Sequence, residues 1–285
     1  GSQQFKGAIA ASLANIPIVW VLEDTMMDKR VKKICSFLIN KYSSGIIVVA
    51  SRVYDFYISG TKLEQKPCIE INSSVDTLLF DSNKTLALEN KDFEDKMVIT
   101  TVSGINPTKG IEYFLEMANL ILENHKNVVF LIAGAKLDSH SKYSKFIDSL
   151  ISDKGLKKHI VFLGLFDNIP SLLKSSDIFI CSSISEASPT AVWEAMAMEK
   201  AIVSTDVGSV NNFIVDGLSG FIVPPKDSDK LYKKVDYLLR NPDLILKLGK
   251  NARNVAKEKL DISISANKYD YFYKKITKKN QCHDF

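Results

Sequence analysis

Long hydrophobic runs are missing from this chain. Its longest apolar stretches, residues 16–22 and 46–50, fall far short of the ~20 residues that a membrane-spanning helix needs. No charged-then-apolar leader opens it, so no secretory signal is expected. Cysteine is sparse and scattered. Cys35, Cys68, Cys181 and Cys282 form no C-x-x-C pair and no cluster with histidine, which argues against a zinc site and a disulfide framework and fits a reducing, cytoplasmic compartment. Charge of one sign is also lacking. Lys and Arg total 37 against 33 Asp and Glu, and a net +4 is too small to imply a nucleic-acid partner. Histidine numbers four (His125, His140, His159, His283), all in predicted loops or tails, and none is placed for catalysis. The two tryptophans, Trp20 and Trp193, read as core rather than as sugar-stacking platforms. No short-period repeat and no low-complexity tract occurs.

What is present is a globular composition, 46% hydrophobic and 25% charged, in 285 residues, enough for one large domain or two ordinary ones. From Met97 onward a short β-branched run, a loop and a segment of helical periodicity alternate. Predicted strands cover 97–102, 128–133, 159–163, 177–181, 201–204 and 221–223. After the first, Ile111, Phe114, Leu115, Ala118, Ile121 and Leu122 step by three and four and so share a helix face. Nearly continuous apolar strands belong to a parallel sheet covered on both faces, so the fold class is α/β, with a doubly wound C-terminal domain. The N-terminal stretch has the same grammar with less of it: strands at 18–22, 45–49 and 68–71, helices near 3–14, 27–41 and 51–59. Three strands make a poor open sheet, so its edge is expected to be covered by a partner, a second copy (a homodimer) or residues preceding the chain given, and the last is the expectation adopted. Polar loops at 73–76 and 84–95 link the halves. The expected division is 1–90, 91–261 and a final helix within 262–285 that packs back on the N-terminal portion. Near that helix Lys274, Lys275, Lys278 and Lys279 lie beside Tyr269, Tyr271, Phe272 and Tyr273, a pattern with two readings: a solvated helix end, or a peripheral contact with a membrane surface.

Ligands of open parallel sheets sit beyond the carboxyl ends of the strands. The richest loop there follows the fourth strand of the C-terminal series, running from Ser182 to Ala197. Ser188 suits an N-cap and Pro189 a first helical position, leaving the N–H groups of Thr190 and Ala191 to face the cleft as a phosphate seat. Glu194 lies one turn beyond Thr190 in an otherwise apolar helix. A buried carboxylate needs a partner, and sugar hydroxyls would serve. Glu186 precedes the helix and can reach a second sugar. Either glutamate alone would more simply satisfy backbone N–H groups; the pair flanking a Ser-Pro helix start favours a binding site. Lys109 stands near the start of a helix, where the dipole disfavours an ordinary exposed lysine.

Glu186 and Glu194, eight apart, form an E-x7-E motif, and by it the chain resembles the group 1 glycosyltransferases, the retaining, glycogen-synthase-like family with the GT-B fold of two Rossmann-like domains. The likeness extends through Val161-Phe162-Leu163-Gly164, Ser176-Asp177-Ile178-Phe179, Thr205-Asp206-Val207-Gly208 and Asp216-Gly217-Leu218-Ser219-Gly220-Phe221-Ile222-Val223-Pro224. Upstream it takes in Asn106-Pro107-Thr108-Lys109-Gly110 and Ser74-Val75-Asp76, so that it covers nearly the whole chain. The resemblance implies a complete C-terminal Rossmann-like domain plus a truncated N-terminal one. It implies a UDP- or GDP-linked nucleotide sugar as co-substrate, with no cofactor and no metal. Lys109 and Glu186 would be the catalytic pair, Lys109 meeting the leaving diphosphate and Glu186 the transferred sugar. Glu194 would bind ribose, and Ser188, Pro189 and Thr190 the diphosphate. Gly104, Asn106 and Gly134 complete the donor side; Gly134 and Gly164 either admit a base to the backbone or simply make turns. On the acceptor side Glu23 and Asp24 either face the cleft or cap the next helix. The acceptor implied is a saccharide or a lipid-linked glycan in surface polysaccharide or glycolipid synthesis, at the cytoplasmic membrane face. Two departures stand out. The family's arginine five residues before the lysine is Gly104 here, a loss of ~10²–10³ in rate unless replaced, with Lys136 a candidate replacement. The family's interdomain Asn-Gly reads Ser73-Ser74. The rival readings are a donor-binding subunit needing a partner and a non-catalytic interaction module.

Overall fold

A computed structural model describes residues 5–89, 93 and 95–281, the last three by backbone alone. The expectations for Cys282, His283, the Lys279 side chain and the first two residues of the predicted helix 3–14 lie outside the described residues. Two compact units result: one runs through Ser74 and resumes at Ile262, the other spans Val75–Asp261.

In the larger unit six parallel strands, β4 (Met97–Val102), β5 (Val128–Ala133), β6 (Ile160–Gly164), β7 (Ile178–Cys181), β8 (Ala201–Thr205) and β9 (Phe221–Val223), lie in the order β6-β5-β4-β7-β8-β9. β5, β7 and β8 are buried along their whole length, as strands sandwiched between two helix layers must be. On one face α4 (Ile111–Asn124) and α9 (Ser228–Leu239) pack against them. Ile111, Phe114, Leu115, Ala118 and Ile121 are fully buried, and Leu122 sits at the margin. On the other face α7 (Thr190–Ala197) and α10 (Pro242–Val255) bury Val192, Trp193, Ala195, Met196 and Ala252. The chain builds outward from β4 through β5 to β6, then returns to the opposite side of β4 with β7. That reversal opens a crevice between the carboxyl ends of β4 and β7.

The boundary falls at Ser74 rather than near residue 90 because residues 75–82 are strapped onto the larger unit. Val75 N–H donates to Leu260 O at 2.9 Å, and Val75 and Phe80 join the α7–α10 core. Arg253, almost wholly buried, pairs with Asp81 at 3.1 Å and Glu199 at 3.6 Å and donates to Phe80 O and Ala197 O. A polar composition therefore marks a strap held by a buried cation, not a free linker.

The smaller unit is a three-stranded parallel sheet, β1 (Val19–Leu22), β2 (Gly45–Val48) and β3 (Cys68–Glu70), in that order. Around it stand α1 (Phe5–Leu13), α2 (Lys29–Tyr42), α3 (Ser51–Tyr57) and α11 (Ile262–Gln281). Phe272 and Ile276 of α11 pack on Ile47 and Ile71. The aromatic cluster of that helix is thus divided, with Phe272 in the core and Tyr271 and Tyr273 exposed. Trp20 is largely buried beside Phe5, but its indole N–H finds no acceptor among the described residues.

Candidate functional site

Lys109 is positioned by its neighbours' backbone. After β4 the chain makes a tight 3-10 turn, Pro107–Lys109, capped by Asn106, whose Oδ1 accepts from Thr108 N–H at 3.0 Å and from Thr108 Oγ1 at 2.6 Å. Asn106 is therefore a structural support of the loop. Gly110 follows in the left-handed conformation (φ 59°), and any Cβ there would collide with Ser182 O, so only glycine closes this turn against the β7 loop. Two bonds stitch the loops together: Ile184 N–H to Thr108 O at 2.7 Å and Ser182 Oγ to Lys109 O at 3.1 Å.

The loop after β7 is fixed from its other side by Thr205 of β8, whose hydroxyl donates to Ser183 O at 2.6 Å. Glu186 then projects toward the first loop. Its Oε1 accepts from Lys109 Nζ at 2.6 Å and from Ser183 Oγ at 2.8 Å, with both charged side chains partly buried. The helix that follows begins later than its sequence implies. α7 starts at Thr190 with Pro189 as its cap residue and no side-chain capping bond, so Ser188 is not the N-cap. The Ser188 hydroxyl instead accepts from the indole N–H of Trp193 at 3.1 Å, a buried donor that would otherwise be orphaned. Trp193 itself is fully buried.

These groups surround one cavity of about 220 Å³ at the β4/β7 crevice. Lys109, Glu186, Ser188, Pro189 and Thr190 line it, with Thr101, Ser103 and Ser183, which the sequence reading did not single out. Their signal was available: Thr101 and Ser103 end β4, and Ser183 follows β7, where ligands of such sheets sit. The Ser103 hydroxyl is buried and makes no hydrogen bond among the described residues. At the start of α7 Val192 N–H donates to Pro189 O at 2.9 Å, while the N–H groups of Thr190 and Ala191 precede the helical ladder and carry the positive end of the dipole. An ammonium and a helix start on one wall, with a carboxylate beside them, can hold a doubly anionic group next to a polyol.

Gly104 and Gly134 lie elsewhere. They line an adjoining, mostly apolar hollow of about 300 Å³ with Leu165, Phe166 and Ile169, and Ser103 borders both spaces. A Cβ at Gly134 would overlap Ser103 O, so this glycine is required by the approach of two strand ends. Gly164 lines neither space. Lys136 pairs with Asp148 at 2.6 Å over the Phe162 ring and does not line the cavity, so it does not replace the missing arginine.

Glu194 is one turn from Thr190 but lines neither hollow. Its carboxylate is partly buried, with no hydrogen bond or ion pair among the described residues, and burial pushes it from 4.5 up to about 7. Glu23 and Asp24 belong to the smaller unit and are exposed. Asp24 accepts from Met26 N–H at 3.1 Å, and the helix-capping role assigned to that pair is taken by Asp28, which accepts from Arg30 N–H at 2.8 Å.

The α-D-kanosaminyltransferase of Streptomyces kanamyceticus is 27% identical over 185 residues, 64% of this chain and 47% of that protein. An Escherichia coli enzyme named UDP-Gal:α-D-GlcNAc-diphosphoundecaprenol α-1,3-galactosyltransferase is 28% identical over 269 residues, 87% of this chain and 66% of that one. The chain spans about half the length of the first curated relatives it matches. Among solved structures, Anabaena HepE in complex with UDP and glucose superposes with a TM-score of 0.86 at 20% identity, covering 96% of this chain and 76% of that one, a likeness of GT-B fold. The sequence profile of the family "Glycosyl transferases group 1" matches residues 83–255, the stretch that carries both stitched loops and the E-x7-E pair. The chain thus belongs to the group 1 glycosyltransferases.

Proposed function

We propose that the chain binds a nucleoside-diphosphate sugar and transfers its sugar to a hydroxyl acceptor with retention at the anomeric carbon. The supporting observation is the Lys109–Glu186 contact of 2.6 Å on the wall of a cavity that also holds the start of α7. The ammonium is paired with the carboxylate. A diphosphate entering the cavity offers it a stronger, doubly charged partner, and frees Glu186 to accept from sugar hydroxyls.

Departure of the nucleoside diphosphate leaves charge between Lys109 and the N–H groups of Thr190 and Ala191, donors already oriented before the bond breaks. Glu186, the one carboxylate among the described residues lining the cavity, is engaged by Lys109 and Ser183, which suits sugar binding better than nucleophilic attack. We therefore assign an internal-return course. The anomeric C–O bond to the diphosphate breaks, the acceptor oxygen bonds to the same face, and its proton passes to the departing phosphate oxygen. The negative charge is met by Lys109 and the helix start without a metal. The hollow beside Leu165 and Phe166 is the natural seat for the base, UDP or GDP being the donors to try. Glu194, unpaired on the next turn of α7, is assigned to the ribose hydroxyls.

The acceptor is assigned to the saccharide or lipid-linked class, in surface polysaccharide or glycolipid synthesis, by analogy with the diphosphoundecaprenol acceptor named for the Escherichia coli relative. A cytoplasmic place at the inner membrane face follows from the same analogy. No helix among the described residues is long and apolar enough to cross a membrane. A second reading, donor binding without turnover by this chain alone, is favoured by Gly104, which leaves Lys109 as the one cationic side chain among the described residues lining the cavity. Calorimetry with UDP, GDP and their sugars tests both. Binding of at least one, weakened by Lys109→Ala, supports the donor site, and binding without turnover supports the second reading. No binding to any would sink both and leave an interaction module.

A further inference from the structure

We infer that Ser103 is a nucleotide-binding residue, its hydroxyl donating to the phosphoryl group next to the nucleoside. The inference rests on the donor site proposed above and adds a contact to it. β4 ends at Val102, and Ser103 is the first residue beyond the strand. Its main chain is held on two counts. Ser103 N–H donates to Ala133 O at 2.8 Å, and its carbonyl lies so close to Gly134 that a Cβ there would overlap it. The side chain therefore has a set place at the carboxyl end of the sheet, where Ser103 lines the crevice.

The Ser103 Oγ atom is buried and has no hydrogen-bond partner among the described residues. A buried hydroxyl left unpaired destabilises the fold, so one that persists calls for a partner from outside the chain. Trp20, Ser36 and Ser144 also carry unpaired buried polar atoms, but none of these three lines the crevice. Position selects what Ser103 meets. It borders both the cavity that holds Lys109 and the start of α7 and the apolar hollow formed by Leu165, Phe166 and Ile169. A nucleotide with its base in the hollow and its diphosphate at Lys109 must pass Ser103 on the way from one to the other. The group at that crossing is the ribose or the first phosphoryl. Electrostatics favours the phosphoryl. A hydrogen bond to an ionised oxygen is roughly twice as strong as one between neutral groups. Lys109 is also the one cationic side chain among the described residues lining the cavity, so an anion there needs neutral donors as well. The Ser183 hydroxyl is already engaged by Glu186 at 2.8 Å.

The test is calorimetry on the full chain with whichever of UDP and GDP the parent binds, together with its monophosphate and its nucleoside. Ser103→Ala should weaken the diphosphate and the monophosphate by about tenfold each, the lower end for a hydrogen bond to a charged group. The nucleoside should lose less than about twofold, because it carries no phosphoryl. Without nucleotide the variant should melt no lower than the parent, since alanine removes a buried group that has no partner in the chain. Weaker binding with undiminished stability is a combination that a merely structural hydroxyl does not produce. Ser103→Cys keeps the size and offers only a weak S–H donor, so it should lose nearly as much affinity, and it serves should the alanine variant not fold. Unchanged affinity for the diphosphate would overturn the inference. An equal loss for the nucleoside would do the same by moving the contact to the ribose, and a spared monophosphate by moving it to the far phosphoryl. A lower melting temperature would show that the hydroxyl is bonded within the chain, with the same result. Lys109→Ala separates this contact from the site it belongs to. If it weakens binding and Ser103→Ala does not, the donor site stands and the Ser103 contact falls; if the parent binds neither nucleotide, both fall.

Discussion

The two units use the same βα grammar and reach different ends. The larger completes it: six strands, helices on both faces, and a topological reversal that opens a crevice where two loops are stitched by four named side chains and backbone groups. Among the described residues the smaller has three strands with β1 at an edge, a buried indole N–H without an acceptor, and a helix presenting Ile34 and Phe37 to solvent. The difference teaches that a parallel sheet makes a binding site only where its order reverses and both loops have something to brace against.

The comparison can be broken most forcefully at Arg253. Its Ala variant leaves Asp81 and Glu199 without their buried cation, and loss of one partner of such a pair costs about 3–5 kcal/mol. Denaturant unfolding followed by hydrogen exchange should show that loss in the larger unit, with the amides of β2 spared. A loss spread equally over β2 would mean the two units do not unfold separately. Next comes Lys109→Ala, expected to weaken UDP binding about a hundredfold by removing a charge-assisted bond. Glu23→Gln/Asp24→Asn in the other unit should leave that affinity unchanged. Equal losses would erase the distinction between the units.

A gain of function sharpens it further. A Cβ at Gly104 meets nothing closer than Ala135 O at 3.8 Å and Asn106 Nδ2 at 3.9 Å, so the loop has room for a side chain. Gly104→Arg should tighten UDP binding by about tenfold, the lower end for a hydrogen bond to a charged group. Unchanged affinity would show that this loop no longer addresses the diphosphate. A pH dependence is expected at Glu194. Its carboxyl titrates at about 7 in the folded chain against an ordinary 4.5, so the folded state binds more protons between those values. Its contribution is therefore full below about 4.5 and is lost as pH rises through about 7. Thermal melts across that window should decline with pH for the parent and flatten for Glu194→Gln. UDP affinity in the parent should rise over the same window as the carboxylate forms, and a flat parent profile would count against the ribose assignment.

Much of the larger unit was legible in advance because its strands are buried on both faces and so spell uninterrupted apolar runs. β4, β5 and β9 fall on the residues that pattern marks. Glu186 and Lys109 were legible through motif and chain position, 77 residues apart. Ser188 was not: the Ser-Pro pair reads as a helix cap, and only the buried indole of Trp193 explains why its hydroxyl is turned away. The boundary at Ser74 was hidden for a similar reason. Residues 75–82 look like a polar linker, and the arginine that fastens them lies more than 170 residues later, with Arg253 Nη1 reaching Phe80 O. Gly134 was ambiguous until the approach of Ser103 O showed what a side chain would strike.

The sequence by itself determined the α/β class, the parallel arrangement and the kinds of groups that would meet a sugar diphosphate, because periodicity and residue chemistry are local properties. Only the tertiary structure decided which of those groups share a cavity. It joined Lys109 to Glu186, left Gly104 and Gly134 in a neighbouring hollow and kept Glu194 out of both. Such decisions depend on strand order and on bonds between loops distant in the chain, which no local pattern encodes.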